Sequence, residues 1–140
     1  MLRGIPMTKS VAARGGCLCG GVRYQTHSAL RDVIACHCSQ CRKTGGHFVA
    51  ATQVPTADLE LIESATLRWY RSSESAERGF CVRCGGNLFW RPTDSGTTSI
   101  MAGTVDPPTG LRTIQHIFIA DKSDYYEIND GAPQSAHWPA

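Results

Sequence analysis

Seven cysteines hold most of the chemistry available to this chain, and they come in three groups. Cys17 and Cys19 lie in "GGCLCGG", Cys36, Cys38 and Cys41 in "CHCSQC", and Cys81 and Cys84 in "CVRC". Thiolates are soft ligands suited to zinc. A closed structural site takes four of them, whereas a site that works on a substrate takes three protein ligands and leaves the fourth position open. Residues two apart on an extended strand project to the same side, so each Cys-x-Cys aims two sulfurs at one point. In Cys-x-x-Cys a tight turn does the same, and Gly85 and Gly86 let the chain double back, which makes "CVRCGG" a zinc knuckle.

The odd total then divides as four and three. Cys17, Cys19, Cys81 and Cys84 form a closed structural site that fastens the start of the domain to a segment far along the chain. Cys36, Cys38 and Cys41 form a three-legged open site, the arrangement of a catalytic metal. Other readings stay open. His37 or His47 could supply a fourth ligand and close the second site, although His37, between two ligands, should face the other side of its strand. Cys81 and Cys84 could be a redox dithiol, but such motifs precede a helix and here a strand follows. Disulfides or surface thiols are a further reading, disfavoured in a reducing compartment.

Other side chains are candidates for substrate contact. Arg42 and Lys43, directly after Cys41, are the nearest cations for the carboxylates of an anionic substrate, and His47 is a candidate proton carrier or water orienter. Asn87 and Arg91 are weaker candidates. Phe89 and Trp90 read as core and wall.

The elements that must position these residues are mainly strands. "VRYQTH" (Val22 to His27), "DVIACHC" (Asp32 to Cys38), "HFVAATQV" (His47 to Val54), "LRWYRS" (Leu67 to Ser72), "NLFWRP" (Asn87 to Pro92), "TTSIMAGTV" (Thr97 to Val105) and "TIQHIFIA" (Thr113 to Ala120) are rich in β-branched and aromatic residues. Helix is scarce: one turn at "SQCRKTGG", capped by Ser39 and stopped by Gly45, and a weak candidate in "TADLELIES". A mainly β domain is expected, with loosely held arms at both ends.

At 140 residues, 41% hydrophobic and 19% charged, the chain has the composition of one soluble globular domain, and no apolar run approaches the roughly 20 residues of a bilayer crossing. No membrane partner is expected. The net charge of +2 is dispersed and would fall below zero with ionised cysteines around two zinc ions, so no nucleic-acid partner is expected either. The N-terminal apolar positions are broken by Gly4, Pro6, Lys9 and Ser10, unlike a secretion signal, and a cytoplasmic location is expected.

In this order, "GGCLCGGVRY", "CHCSQCRKTGG", "FCVRCGGNLFW" and "MAGTVD" resemble the glutathione-dependent formaldehyde-activating enzyme (GFA) family, also called the CENP-V/GFA domain. The resemblance implies a Mss4-like fold of packed antiparallel β-sheets with zinc knuckles over residues 14–130, between an N-terminal arm (1–13) and a C-terminal tail (131–140). It implies two zinc ions: a structural one on the positions matching Cys17, Cys19, Cys81 and Cys84, and a labile catalytic one on those matching Cys36, Cys38 and Cys41. It also implies carbon-sulfur lyase activity on small molecules, joining formaldehyde and glutathione, or a related aldehyde and thiol, into S-(hydroxymethyl)glutathione or its analogue. A non-catalytic zinc module and a glutathione carrier are the alternatives. One departure is Tyr125, in "DKSDYYEINDGAP", where many relatives carry a tryptophan.

Overall fold

A computed structural model describes residues 9–139, and residues 1–8 of the expected N-terminal arm lie outside them. Among the described residues ten strands form two sheets. The smaller has the order β1 (Ala13–Gly16), β2 (Arg23–Thr26), β5 (Leu59–Glu63). In the larger, β10 (Thr113–Ile117), β3 (Val33–Cys36), β4 (Val49–Pro55), β9 (Thr97–Met101), β8 (Asn87–Pro92), β7 (Ala76–Cys81) and β6 (Leu67–Ser73) lie side by side. Neighbouring strands are antiparallel except β10 and β3, which run parallel. The expected mainly β architecture is present, with that one parallel pair added.

Strand alternation gives the large sheet two different faces. One face carries Val54, Phe89 and Ile100, which pack with Tyr24 from the small sheet, with Val22 just before β2, and with Leu67 and Leu88. Tyr24 meets Phe89 edge-on at 5.5 Å, and each such large apolar side chain taken from water contributes roughly 1.5–3 kcal/mol. The alternate residues, Val49 and Ala51 on β4, Met101 on β9 and Trp90 on β8, point the other way and pack with Cys36, Cys38 and Cys41. The sheet thus separates its main core from a second, thiol-bearing cluster.

Several local expectations need correction. The helix α1 spans Ser39–Gly45, but its N-cap is Cys38, whose sulfur accepts from the Cys41 N–H, and Gly46 at φ 81° ends it, not Ser39 and Gly45. "TADLELIES" is not helical: a 3-10 turn, Thr56–Asp58, leads into β5. Among the described residues, both end segments are hydrogen-bonded to the domain. Ala12 N–H donates to the Thr26 carbonyl, and Lys9 pairs with Asp58. At the other end the tail runs beside β10: His116 N–H donates to Pro133 O, Ser135 N–H to His116 O and Phe118 N–H to His137 O. These bonds satisfy an edge strand that would otherwise expose its backbone.

Candidate metal centres

The four-sulfur cluster joins two turns. Cys17 follows β1, and the turn to β2 passes through Gly20 at φ 80°; Cys81 ends β7, and its turn to β8 passes through Gly85 at φ 77°, a conformation only glycine adopts without strain. The Sγ atoms of Cys17, Cys19, Cys81 and Cys84 all lie within 4.8 Å of one another. Cys17 and Cys19 are 3.7 Å apart, and Cys19 and Cys81 3.6 Å. A tetrahedral ion with metal-sulfur bonds of about 2.3 Å needs sulfur-sulfur edges of about 3.8 Å, so the spacing fits a metal directly.

The surroundings favour thiolate. N–H groups of Val22 and Gly21 point at Cys17 and Cys19 at 3.3 and 3.4 Å, the Cys84 N–H at Cys81 at 3.4 Å, and Arg83 Nε at Cys19 at 3.3 Å. The Gly21 N–H, then Arg83, pull the Cys19 thiol down, and the Thr66 hydroxyl, then backbone N–H groups, bring Cys81 down to about 6. Burial acts the other way on Cys17 and raises it.

The second cluster gathers Cys36 at the end of β3, Cys38 at the cap of α1 and Cys41 in its first turn, with all three sulfurs within 4.8 Å of one another. Three negative charges cannot crowd together unaided. The neighbouring Cys36 and Cys41 sulfurs pull Cys38 down to about 2, while the same contacts and burial push Cys36 far up. A divalent cation removes the conflict and lets all three ionise.

What separates the clusters is access. A cavity of about 510 Å³ is lined by Cys36, Cys38 and Cys41 together with Ile34, Val49, Trp90, Met101, Phe118 and Trp138, and by none of the other four cysteines. Its floor is the second face of the large sheet, and α1 forms one wall. Trp138 belongs to the tail, so the segment expected to be loose completes this wall.

The other predicted residues lie elsewhere. Neither His37 nor His47 joins the three sulfurs. His37 is fully buried on the opposite side of the strand, bonded to Tyr126 and to His116. His47 Nδ1 is 3.0 Å from the Tyr125 hydroxyl, and the two rings stack; Tyr125 therefore shapes the surroundings of His47, not the cavity. Arg42 and Lys43 sit on α1, and neither they nor His47 line the cavity. Arg91 pairs with Glu77 and covers the Trp69 ring. Asn87 lines a separate small recess, Phe89 is core and Trp90 is wall.

Sequence reasoning missed two cations in the cavity, Arg31 and Arg78. Arg31 is committed to the carbonyls of Asp32 and Ala51, at 3.1 and 2.9 Å. Arg78, in β7, lies 3.3 Å from Gln40 Oε1 and 3.8 Å from Cys41 Sγ through Nη2. The signal was strand alternation: three residues before Cys81, Arg78 falls on the face opposite the four-sulfur cluster.

Three comparisons bear on this arrangement. The sequence profile of a family described as glutathione-dependent formaldehyde-activating enzyme matches residues 12–121. A Schizosaccharomyces pombe protein, described as an uncharacterized lyase, is 32% identical over 120 residues, 81% of this chain and 83% of its own. A Halomonas elongata protein, provisionally named a glutathione-dependent formaldehyde-activating enzyme, is 30% identical over 128 residues, 81% of this chain and 79% of its own. A crystal structure of a Rhodobacter sphaeroides protein superposes with a TM-score of 0.60 at 21% identity, over 86% of this chain and 98% of that one, and shares the fold.

Proposed function

Because the chain belongs to the glutathione-dependent formaldehyde-activating enzyme family, we propose that it is a zinc-dependent carbon-sulfur lyase. It interconverts a thiol plus a small aldehyde, glutathione and formaldehyde in the first instance, with their S-(hydroxymethyl) adduct. The observation that carries this reading is the asymmetry between the clusters: four sulfurs in a closed site, three lining a cavity. A purely structural module has no use for the second arrangement.

Zinc held by Cys36, Cys38 and Cys41 would offer its fourth position to a thiol sulfur and lower that thiol's pKa. The chain's own residues set the terms. Three thiolates make the site soft and leave it with a net charge of −1 around a divalent ion, which favours a sulfur ligand over a hard oxygen. Cys38 is steadied by the Cys41 N–H at 3.4 Å. Arg78, 3.8 Å from Cys41 Sγ, offsets the excess charge. The apolar walls limit water around the bound sulfur and strengthen these electrostatic terms. In the forward direction the thiol S–H breaks and gives its proton to solvent, the sulfur forms one carbon-sulfur bond as the aldehyde π bond opens, and the oxygen takes one proton back from solvent; the reverse direction undoes each change. A reducing compartment, the cytoplasm, suits seven unpaired thiols.

Exchange NMR of S-(hydroxymethyl)glutathione formation tests the reading, comparing zinc-loaded protein with the spontaneous rate and with Cys38→Ala. Acceleration that disappears in the variant is the expected result. A rate equal to background for zinc-loaded protein would refute turnover of this pair.

A further inference from the structure

Arg78 is 5% exposed, and its Nε and Nη1 have no hydrogen-bond partner. Its one engaged nitrogen, Nη2, makes only long contacts, 3.3 Å to Gln40 and 3.8 Å to Cys41. No carboxylate of the described residues pairs with it, and the neighbouring Glu77 is taken by Arg91. A guanidinium removed from water without a full set of acceptors is costly, by several kcal/mol on general grounds. Arg31, in the same cavity, has its two carbonyls. The contrast singles out Arg78 as the cavity cation with donors to spare: Nη2 faces Cys41, while Nε and Nη1 have no partner.

Around it the cavity is mostly apolar, with Trp90, Met101, Phe118 and Trp138 among its walls. Its volume of about 510 Å³ is more than ten times what a molecule the size of water or formaldehyde occupies, roughly 30 Å³. Glutathione would use the space, but neither it nor a one-carbon aldehyde has an apolar or aromatic body to match walls of Trp90, Phe118 and Trp138. We propose that the cavity takes an amphiphilic small molecule, with an apolar or aromatic body against Trp90, Phe118 and Trp138 and an anionic group, such as a carboxylate, held by Arg78. The inference deepens the proposed function by giving its substrate class: an adduct in which the thiol or the aldehyde part carries both an apolar group and an acid. It is a binding property and can be measured without turnover.

The test uses thiol-free probes, so that a sulfur-metal bond contributes nothing. Zinc-loaded protein is titrated calorimetrically with 4-phenylbutanoate, with the neutral 4-phenylbutanamide and with acetate. The acid should bind roughly tenfold or more tightly than the amide, the ratio expected of one charge-assisted contact in a dry site, and acetate should bind weakly for want of a body. Arg78→Gln should abolish the preference for the acid, and Arg78→Lys should keep part of it, with near-UV circular dichroism checking the fold of each. Equal binding of acid and amide to the wild type overturns the proposal without any variant. An acid preference that survives Arg78→Gln overturns it too, by placing the anion on another group. The exchange NMR assay stands apart: probe binding without acceleration would refute the formaldehyde and glutathione reaction and leave this inference standing.

Discussion

His37 Nε2 lies 2.9 Å from His116 Nδ1, and both rings are buried. Asp130 Oδ2 is 2.8 Å from His116 Nε2 and accepts its proton, and in the tautomer with a single ring proton Nδ1 is then the acceptor. His37 therefore donates from Nε2, and its Nδ1 accepts from the Tyr126 hydroxyl. Burial, then the neighbouring His116, holds His37 down to about 4, in keeping with a neutral ring. This directional chain pins the residue between two candidate ligands from behind and ties the C-terminal segment to β3.

His116→Ala should cost about 2–3 kcal/mol, because it strands the His37 N–H in the interior. Asp130→Asn keeps an acceptor for His116 and should cost less, about 1 kcal/mol. Urea denaturation of both variants measures this. Equal losses would mean that the chain of donors runs differently.

The two cysteine clusters should respond differently to removal of one sulfur. Cys84→Ala is expected to lose at least about 3 kcal/mol, which in a chain of this size lowers the melting temperature by roughly 10 °C. Cys38→Ala should lose one equivalent of zinc and only about 1 kcal/mol, the worth of the helix cap. Metal content by mass spectrometry and thermal melts separate the cases, and the same damage from both would defeat the four-plus-three division.

Tyr24 gives a pH test that does not use a cysteine. Burial first, then the Asp106 carboxylate against the opposing Thr104 hydrogen bond, raises its phenol to about 12, whereas an unfolded tyrosine ionises near 10. The folded chain holds this proton through the interval where the unfolded chain releases it. Its contribution is thus fully present below pH 10 and is lost as the pH rises toward 12. Tyr24→Phe should remove that part of the alkaline decline and, at pH 8, cost about 1 kcal/mol for the 2.8 Å bond to Thr104. Urea titrations at pH 8 and 11 check both.

Trp138→Ala should weaken binding of an aromatic ligand about tenfold, by removing a ring from the cavity wall. Stability should change by less than about 1 kcal/mol, since the side chain is 64% exposed. Titration with 4-phenylbutanamide reads the wall alone. An unchanged affinity would exclude Trp138 from the occupied part of the cavity.

The sulfur groups were legible in the sequence because their geometry is local: two-residue and three-residue spacings bring thiols together whatever the rest of the chain does. The strands richest in β-branched and aromatic residues were legible for the same reason. β7 was not, since "AERGFC" carries two charges and a glycine, and what makes it a strand is pairing on both sides with β6 and β8. β5 has good helix formers in Leu59, Glu60 and Leu61, but pairing with β2 overrides them. Ser39 looked like the cap because its oxygen is the usual acceptor, yet the sulfur of Cys38 takes that place. Arg78 does not stand out because its segment does not read as a strand, and its alternation with Cys81 has meaning only once β7 is in place. The tail resembled a polar arm, and its role as neighbour to β10 depends on a partner strand far from it in sequence.

The four-sulfur cluster has a kinetic consequence. Cys81 and Cys84 sit on one hairpin and can seize an ion as soon as that hairpin turns, whereas Cys19 is 62 residues from Cys81. Closing so long a loop is a slow and entropically expensive event for a bare β chain. An ion already held by the hairpin converts it into capture of a waiting ligand pair, and the smaller sheet is recruited with it. For a cluster that holds a metal ion, the supply of metal during synthesis would set how quickly, and in what order, the two halves of the protein come together.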